Sequence, residues 1–322
     1  MASLRELRNK LKSVKSTQQI TKAMKMVAAA RMRRAQGAIL ASRPFAVKLE
    51  EAVGDLSRLE AAAKRVSGIG GRLHPFFGGA ADSRDAGLGE RLPASGLPRE
   101  GAGERGAAGL ILVTADKGLC GSFNANILRA AVQWIRGASG RPISVAVAGR
   151  KGRDLLQRLR DVPLERPAEL VGIFPKATYA HAELLAEPMI ERFVEGRLDS
   201  VALLYTEFQS VVSQKVVEKR ILPIPAPEAE ADEAGGFGFH YEPGREKLLE
   251  ALLPRHIKAQ IFRALLESQA AELAARMNAM DAATKNAGEL IDNLTLCLNR
   301  TRQAIITREI VEIVSGAEAL GG

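Results

Sequence analysis

The sequence has little cysteine, few aromatic residues and no long apolar run. Only Cys120 and Cys297 occur among 322 residues, and aromatic residues make up 4%. Two distant cysteines are too few for a disulfide framework or a zinc site, and without about 20 consecutive apolar residues no membrane span is predicted. The N-terminus also lacks the apolar core of a secretory signal. We therefore expect a cytoplasmic protein that meets a membrane only through a partner.

Acidic residues are nearly missing from the first 45 residues. That segment holds 11 Lys or Arg against the single acid Glu6, a net charge of +10, whereas the whole chain carries +9. A solvated polar face is one interpretation. The one-sided sign favours an acidic partner, which could be nucleic acid, a membrane surface or acidic protein surfaces.

Proline and glycine barely interrupt the last 50 residues, which carry a heptad seam with steps of four and three. The seam positions are Leu273, Met277, Met280, Thr284, Ala287, Ile291, Leu294, Leu298, Thr301 and Ile305. They predict one helix from about residue 255 to about residue 315, which would be about 90 Å long. So long a helix is expected to span a distance rather than fill a core.

The N-terminal segment from Ser3 to about Leu59 is predicted to be the partner helix, since it holds only Pro44 as a breaker besides two glycines. A globular region between the two helices would bring the chain back, so we expect antiparallel pairing. The predicted seam residues are Leu4, Leu7, Leu11 and Val14, continued with a shifted phase by Ile20, Met24 and Val27.

The middle of the chain alternates strand and helix patterns after a Gly-rich zone at 68–109, which predicts a largely parallel sheet closed by a hairpin. The predicted strands are Leu110–Thr114, Ile143–Ala148, Leu170–Phe174, Ser200–Gln209 and Val211–Leu222. The predicted helices start at Ser122, near Arg153 and at Ala177. The expected segments are a coiled-coil helix at 1–60, a linker at 61–109, an α/β domain at 110–222, a loop at 223–243 and a coiled-coil helix at 244–322.

Catalytic and ligand-binding signals are weak. The turn Thr114–Gly121 follows a strand as a phosphate loop does, but it lacks the dinucleotide and Walker spacings, and the turn Gly149–Gly152 is only suggestive. No histidine pairs visibly with Cys120, and no His, Asp and Glu set has metal-ligand spacing. We therefore predict no catalytic residue, no cofactor and no metal.

The C-terminal end of the second helix is apolar around much of its circumference. On a helical wheel its apolar residues cover about 240°, whereas one partner helix covers little more than about 100°. The rest could pack on the chain's own α/β domain, but a sleeve made by other subunits is the better interpretation. The residues are Ile305, Ile306, Ile310, Val311, Ile313 and Val314.

Five segments of the chain form recognisable motifs. They are Ile20–Ala29 near the N-terminus, Arg276–Ala287, Asn299–Thr307 and Glu309–Ala317 near the C-terminus, and the turn Asp116–Gly121. In these motifs the chain resembles the gamma subunits of bacterial F-type ATP synthases. The resemblance covers both termini and most of residues 110–222. Together these motifs are highly specific.

The resemblance implies an α/β fold with a long antiparallel coiled coil, in which the terminal helices form a rod and a Rossmann-like α/β domain forms a foot. It implies the central rotor shaft of a proton-translocating synthase, inside three alpha and three beta subunits, with the foot on epsilon and the membrane c ring. Such a subunit couples rotation to the beta subunits and regulates ATPase activity and proton flow, without catalysis or nucleotide binding. The implied location is peripheral, on the cytoplasmic face of the bacterial inner membrane.

The resemblance also implies roles for individual residues. The apolar end at 305–314 would turn in a bearing formed by alpha and beta. Contacts with beta would come from Met24, Arg276, Arg302, Gln303, Thr307 and Glu309. Contacts with the c ring and epsilon would come from Phe237, Phe239 and Tyr241.

One segment departs from the family pattern, because the insert at about 76–107 is longer than the usual connection. It could be a flexible passenger or a regulatory arm, and it lacks the cysteines of a dithiol switch. Two other functions remain as alternatives for the whole chain. A basic coiled coil could bind nucleic acid with steep salt dependence, or residues 110–222 could form a nucleotide-dependent oxidoreductase.

Overall fold

The computed structural model describes residues 4–67, 76, 107–138, 140–224 and 244–320. These residues fall into two compact units, one of Met1–Ala30 with Arg276–Gly322 and the other of Arg31–Ala275. Two long helices, α1 (Leu4–Ser67) and α5 (Arg245–Leu320), contribute to both units. None of the described helices is long and apolar enough to cross a membrane.

The first unit is an antiparallel pair of helices with a heptad seam. On α5 the predicted seam positions from Met277 to Thr301 are buried or half-buried, which confirms the prediction over this stretch, whereas the last predicted seam position, Ile305, is exposed. On α1 the buried and half-buried positions also alternate steps of three and four, without a change of phase. They include Leu4, Leu7, Leu11, Val14, Gln18, Thr21, Lys25 and Ala28.

The predicted phase shift on α1 is wrong. Ile20 is 57% exposed and Val27 is 50% exposed, so neither lies in the seam. Gln18 and Thr21 hold the seam positions instead, because the opposite helix presents a small or polar surface here. Its nearest residues are Thr284 and Gly288.

The second unit is built on a six-stranded sheet. Its elements are β1 (Ala108–Val113), α2 (Phe123–Gly137), β2 (Ile143–Ala148), α3 (Arg150–Arg158), β3 (Leu164–Glu165), β4 (Glu169–Leu170), α4 (Tyr179–Val194), β5 (Ser200–Phe208) and β6 (Gln214–Leu222). The strand order is β3-β2-β1-β5-β6, and β4 also pairs with β2. All pairings are parallel except the antiparallel β5–β6 hairpin, which confirms the predicted sheet.

Both faces of the sheet are covered, so the central strands are buried along their whole length, as is typical of parallel sheets. Alternate residues of β1 point to opposite faces of the sheet. Leu110 and Leu112 pack with α2 and α3, whereas Ile111 and Val113 pack with α4 and with the parts of α1 and α5 that belong to this unit.

The predicted strand Leu170–Phe174 is largely wrong. The chain forms two short strands, β3 and β4, both on β2, and pairing ends at Leu170. Gly172 then adopts a φ of +80°, and its amide turns away from the sheet toward the side chain of Asp116. The predicted last strand starts at Gln214 rather than Val211, after the hairpin turn.

Candidate functional site

Polar contacts hold the two helices of the first unit in one register. The hydroxyls of Thr21 and Thr284 are hydrogen-bonded at 2.8 Å, and Lys25 Nζ lies 2.5 Å from Asp281 Oδ1. The same pairing places Leu4, the first described residue of α1, opposite about residue 301. Beyond that point no described part of α1 runs beside α5.

The unpaired end of α5 is exposed in this chain. Every residue from 302 to 316 is exposed, and about 19 residues of helix, or about 28 Å, extend past the point opposite Leu4. The six apolar residues of the predicted bearing lie here, with exposures from 37% at Ile305 to 72% at Ile313. An apolar surface of this kind typically marks a binding surface for other proteins.

The predicted contact residues lie in different places. Arg302, Gln303, Thr307 and Glu309 are all exposed on the same end of α5 as the apolar residues. Met24 and Arg276 are half-buried, farther along the coil. The predicted c-ring and epsilon contacts, Phe237, Phe239 and Tyr241, lie outside the described residues.

An apolar face of α1 lies beside the seam. Ile20, Met24 and Val27 share this face, since they are four and three residues apart. Their spacing alone predicts a place in the seam. The exposure of Ile20 and Val27 shows instead that their side chains face away from α5, while Met24 is half-buried.

Most basic side chains of α1 lie on its solvent-exposed surface. Lys25 pairs with Asp281, but the other basic residues of α1 in the first unit are exposed. These are Arg5, Arg8, Lys10, Lys12, Lys15 and Lys22. Because these basic side chains are exposed, they attract an acidic partner surface over long distances.

In the second unit, Asp116 occupies the place where a dinucleotide fold would hold phosphate. It follows β1, and its Oδ1 accepts the backbone N–H groups of Arg150 at 3.0 Å and Gly172 at 2.9 Å. Its Oδ2 accepts that of Phe174 at 3.2 Å. The N–H at the start of α3, which could bind a phosphate, is thus used by the chain's own carboxylate.

The nearby crevice is also filled by the chain itself. Strand order reverses between β1 and β5, the usual place for a ligand in open α/β sheets. Here Cys120, from the loop after β1, and Phe123, the first residue of α2, form a buried cluster with Ala271 of α5. Phe208 at the end of β5 packs against this cluster. The turn Thr114–Gly121 therefore packs against α5 instead of enclosing a ligand.

The remaining candidates for chemistry have structural partners. Cys120 is buried, and its sulfur accepts a hydrogen bond from the Asn124 amide at 3.1 Å. His181 contacts Thr178 at the start of α4, and His256 contacts Gln260. Among the described residues no group of three His, Cys, Asp or Glu is placed to hold a metal. His74 and His240 lie outside the described residues.

The chain is similar to known proteins over nearly its whole length. A family model described as ATP synthase matches residues 3–320. The ATP synthase gamma chain of Anaeromyxobacter sp. (strain Fw109-5) is 44% identical over 322 residues, covering 99% of this chain and 100% of its own. The chain belongs to the gamma-chain family of ATP synthases. The gamma chain of Elusimicrobium minutum (strain Pei191) is 43% identical, covering 99% of both chains.

Solved structures show the same fold. A chain from the Euglena gracilis mitochondrial ATP synthase (OSCP/F1/c-ring, rotational state 3) has a TM-score of 0.63 at 20% identity, covering 98% of this chain and 94% of its own. A chain from the rotor of the same synthase has a TM-score of 0.57 at 18% identity, covering 94% and 98%. The predicted resemblance is thereby confirmed, and with it the prediction that the chain is a gamma subunit rather than a catalytic one.

Proposed function

We propose that this gamma chain is the central rotor shaft of a proton-translocating F-type ATP synthase. It couples the turning of the membrane c ring to the conformational cycling of three beta subunits, and it thereby regulates ATPase activity and proton flow. Family membership across residues 3–320 supports this function. The observation that carries it is the exposed apolar end of α5, which the chain's own first helix does not reach.

Different segments of the chain form the shaft, the foot and the connections between them. Residues 1–60 and 244–322 supply the shaft, residues 110–222 supply the foot, and 61–109 and 223–243 connect them. Because only the shaft enters the ring of three alpha and three beta subunits, we place the exposed basic side chains of α1 toward acidic surfaces of beta.

Exposure on the shaft supports four of the individual contacts. Arg302, Gln303, Thr307 and Glu309 contact beta beside the apolar end at 305–314, which turns in a bearing of alpha and beta. The half-buried Met24 and Arg276 make further contacts with beta. Phe237, Phe239 and Tyr241 contact epsilon and the c ring.

The complex is located on the cytoplasmic face of a bacterial inner membrane, where this subunit is peripheral. The bacterial origin of the similar gamma chains supports that location.

Reconstitution tests the function. The purified chain is mixed with alpha and beta subunits from the same source, and size-exclusion chromatography and an ATPase assay follow. We expect elution as three alpha, three beta and one gamma, with ATPase activity above that of an alpha–beta mixture alone. A chain that elutes by itself at low and moderate salt would contradict the proposal, and salt-dependent binding to nucleic acid would then be measured.

A further inference from the structure

Two segments of the second unit contact α5 shortly before it leaves that unit after Ala275. The first segment is 115–123, which is buried against Ala271 of α5 through the side chains of Cys120 and Phe123. This contact is apolar, and apolar contacts have no preferred direction. Something else must therefore fix the position of the segment on the helix.

The second segment is 171–177, in the loop between β4 and α4. The N–H of Ala177 donates to the side-chain oxygen of Gln269, a buried residue of α5, at 3.5 Å. Gln269 and Ala271 are only two positions apart on the helix. We call the segments 115–123 and 171–177 together the collar of α5.

The carboxylate of Asp116 is a hydrogen-bonded link between the two segments of the collar. Asp116 belongs to the first segment, and it accepts the N–H groups of Gly172 and Phe174 in the second at 2.9 and 3.2 Å. It also accepts the N–H of Arg150, at the start of α3, at 3.0 Å. Three N–H groups that converge on one side chain form a nest for an anion, and hydrogen bonds to a charged carboxylate are stronger than those between neutral groups.

The next N–H groups of α3 are already used by the two residues before Asp116. The N–H of Lys151 donates to the carbonyl of Ala115 at 3.1 Å, and that of Gly152 donates to the hydroxyl of Thr114 at 2.9 Å. An anion in this nest can therefore lie only where the Asp116 carboxylate lies. That side chain is half-buried, so solvent reaches the position.

We propose that Asp116 is a positioning residue, whose carboxylate is a built-in anion that holds the two segments of the collar together and keeps Cys120 packed on α5. Without it the three N–H groups lose their common acceptor, the first segment loosens, and Cys120 becomes accessible. In the function proposed above α5 belongs to the shaft, so the collar fixes where the shaft leaves the foot. That consequence rests on the proposed function, whereas the collar itself is a property of the free chain.

The labelling rate of Cys120 in the purified full chain tests the proposal. Cys120 is buried and Cys297 is exposed, so reaction with N-ethylmaleimide, followed by peptide mass spectrometry, uses the first as probe and the second as internal reference. We expect Asp116→Ala to label Cys120 at least about tenfold faster than the wild type, the size expected for losing a hydrogen bond to a charged group, with Cys297 unchanged. Asp161→Ala removes an exposed acid of the same unit and should label as the wild type does.

Rescue by formate distinguishes the anion from side-chain packing. In Asp116→Ala the vacated nest has room for formate, which carries the same carboxylate group. Sodium formate should therefore slow the labelling of Cys120 toward the wild-type rate in a saturable way, and sodium chloride at the same ionic strength is the control. Neither the wild type nor Asp116→Asn should respond to formate, because their own side chains fill the nest.

Three results would overturn the proposal. An unchanged Cys120 rate in Asp116→Ala would mean that the carboxylate does not hold the collar. Equal slowing by formate and chloride would mean screening by salt, and faster labelling that formate does not slow would mean lost packing rather than a lost anion.

A second variant decides if Asp116→Ala does not fold. Asp116→Asn keeps the side-chain shape but removes the charge, so a wild-type Cys120 rate in this variant contradicts the proposal and a faster rate supports it. All of these rates are measured without alpha or beta subunits. They are therefore independent of the reconstitution that tests the proposed function.

Discussion

The hydroxyl oxygens of Thr21 and Thr284 lie 2.8 Å apart in a hydrogen bond that joins residues 263 positions apart in sequence. The ion pair between Lys25 and Asp281 lies one helical turn away. Polar contacts in a coiled-coil seam favour a single register, since a slipped pairing would leave them without partners. We infer that polar pairs, rather than apolar bulk, fix the register of this part of the coil.

Removing these hydroxyls should therefore destabilise the first unit. Thr21→Val and Thr284→Val keep the side-chain shape, and each should lower the free energy of unfolding by about 1 kcal/mol. The double variant should lose clearly less than the two losses combined, because one hydrogen bond is shared. Urea unfolding measures the stability of the two single variants and of the double variant. Thr17→Val, at an exposed position of the same helix, is the control. Strictly additive losses would contradict the inferred coupling.

The ion pair between Lys25 and Asp281 predicts that the stability of the first unit depends on pH. The hydrogen bond from Lys25 holds the pKa of Asp281 below its ordinary value of 3.8. A carboxylate whose pKa is lowered in the folded state contributes stability above the unfolded pKa and loses it as pH falls toward the folded one. Asp281→Asn should thus be less stable than the wild type at pH 7, and the difference should shrink below about pH 4.

Urea unfolding at pH 7 and at pH 3 measures this difference. Asp292→Asn, at an exposed position of the same helix, is the matched control. The difference is in the free energy of unfolding between Asp281→Asn and the wild type. If it is the same at both pH values, the ion pair is not its source.

Much of the coil could be read from the sequence, but not the middle of α1. The heptad steps on α5 were visible because apolar residues hold most of the seam. On α1 the steps continue through Gln18 and Thr21, whereas the apolar Ile20 and Val27 are exposed. Hydrophobicity is misleading there, because the exposed apolar residues lie outside the seam and polar residues lie within it.

The sheet was also largely predictable, whereas the filling of its crevice was not. The strands β1, β2 and β5 show as short apolar runs, but β3 and β4 have only two residues each and leave no periodic signal. The crevice is closed by Ala271, about 150 residues from Cys120 in sequence. Similarly, a cavity lined by His256 is formed by residues from α1, α5 and the β5–β6 hairpin, which are far apart in sequence, and no local motif predicts it.

Deleting residues 78–106 should leave the complex intact. Phe76 stacks on Phe193 with ring centroids 6.2 Å apart, and the carbonyl of Ala107 accepts the N–H of Asp199. Both ends of the segment thus lie at the turn between α4 and β5, so a short Gly-Ser linker can join them. Shortening a loop changes its closure entropy by only about 0.6 kcal/mol for each halving of length.

The deletion is checked by the melting temperature of the free chain and by reconstitution with alpha and beta. Loss of assembly would show that the insert is structural. Retained assembly with altered ATPase activity would favour a regulatory arm over a passenger.

Arg302 and Gln303 should matter for turnover rather than for folding. Both are exposed on the end of α5, so their joint replacement by Ala should change the stability of the free chain by less than about 0.5 kcal/mol. In the reconstituted complex it should lower ATPase turnover at least about fivefold, since interface arginines are often hot spots. Arg308→Ala, at another exposed arginine on the same stretch, which pairs with Glu312, is the control. A wild-type rate in the double variant would remove both residues from the contacts with beta.

Truncation separates the exposed end of α5 from the rest of the molecule. A chain that ends at Ala304 loses residues that are all exposed up to Gly316, so its α/β unit should melt as the wild type does. In the proposed function this apolar end turns in the bearing, and α1, which begins at Leu4, does not reach that far. We expect weaker assembly with alpha and beta, or lower torque where assembly persists, and a chain ending at Gly316 should behave as the wild type. Size-exclusion chromatography and ATP synthesis by the membrane-bound complex measure these effects, and unchanged synthesis by the Ala304 chain would rule out the bearing.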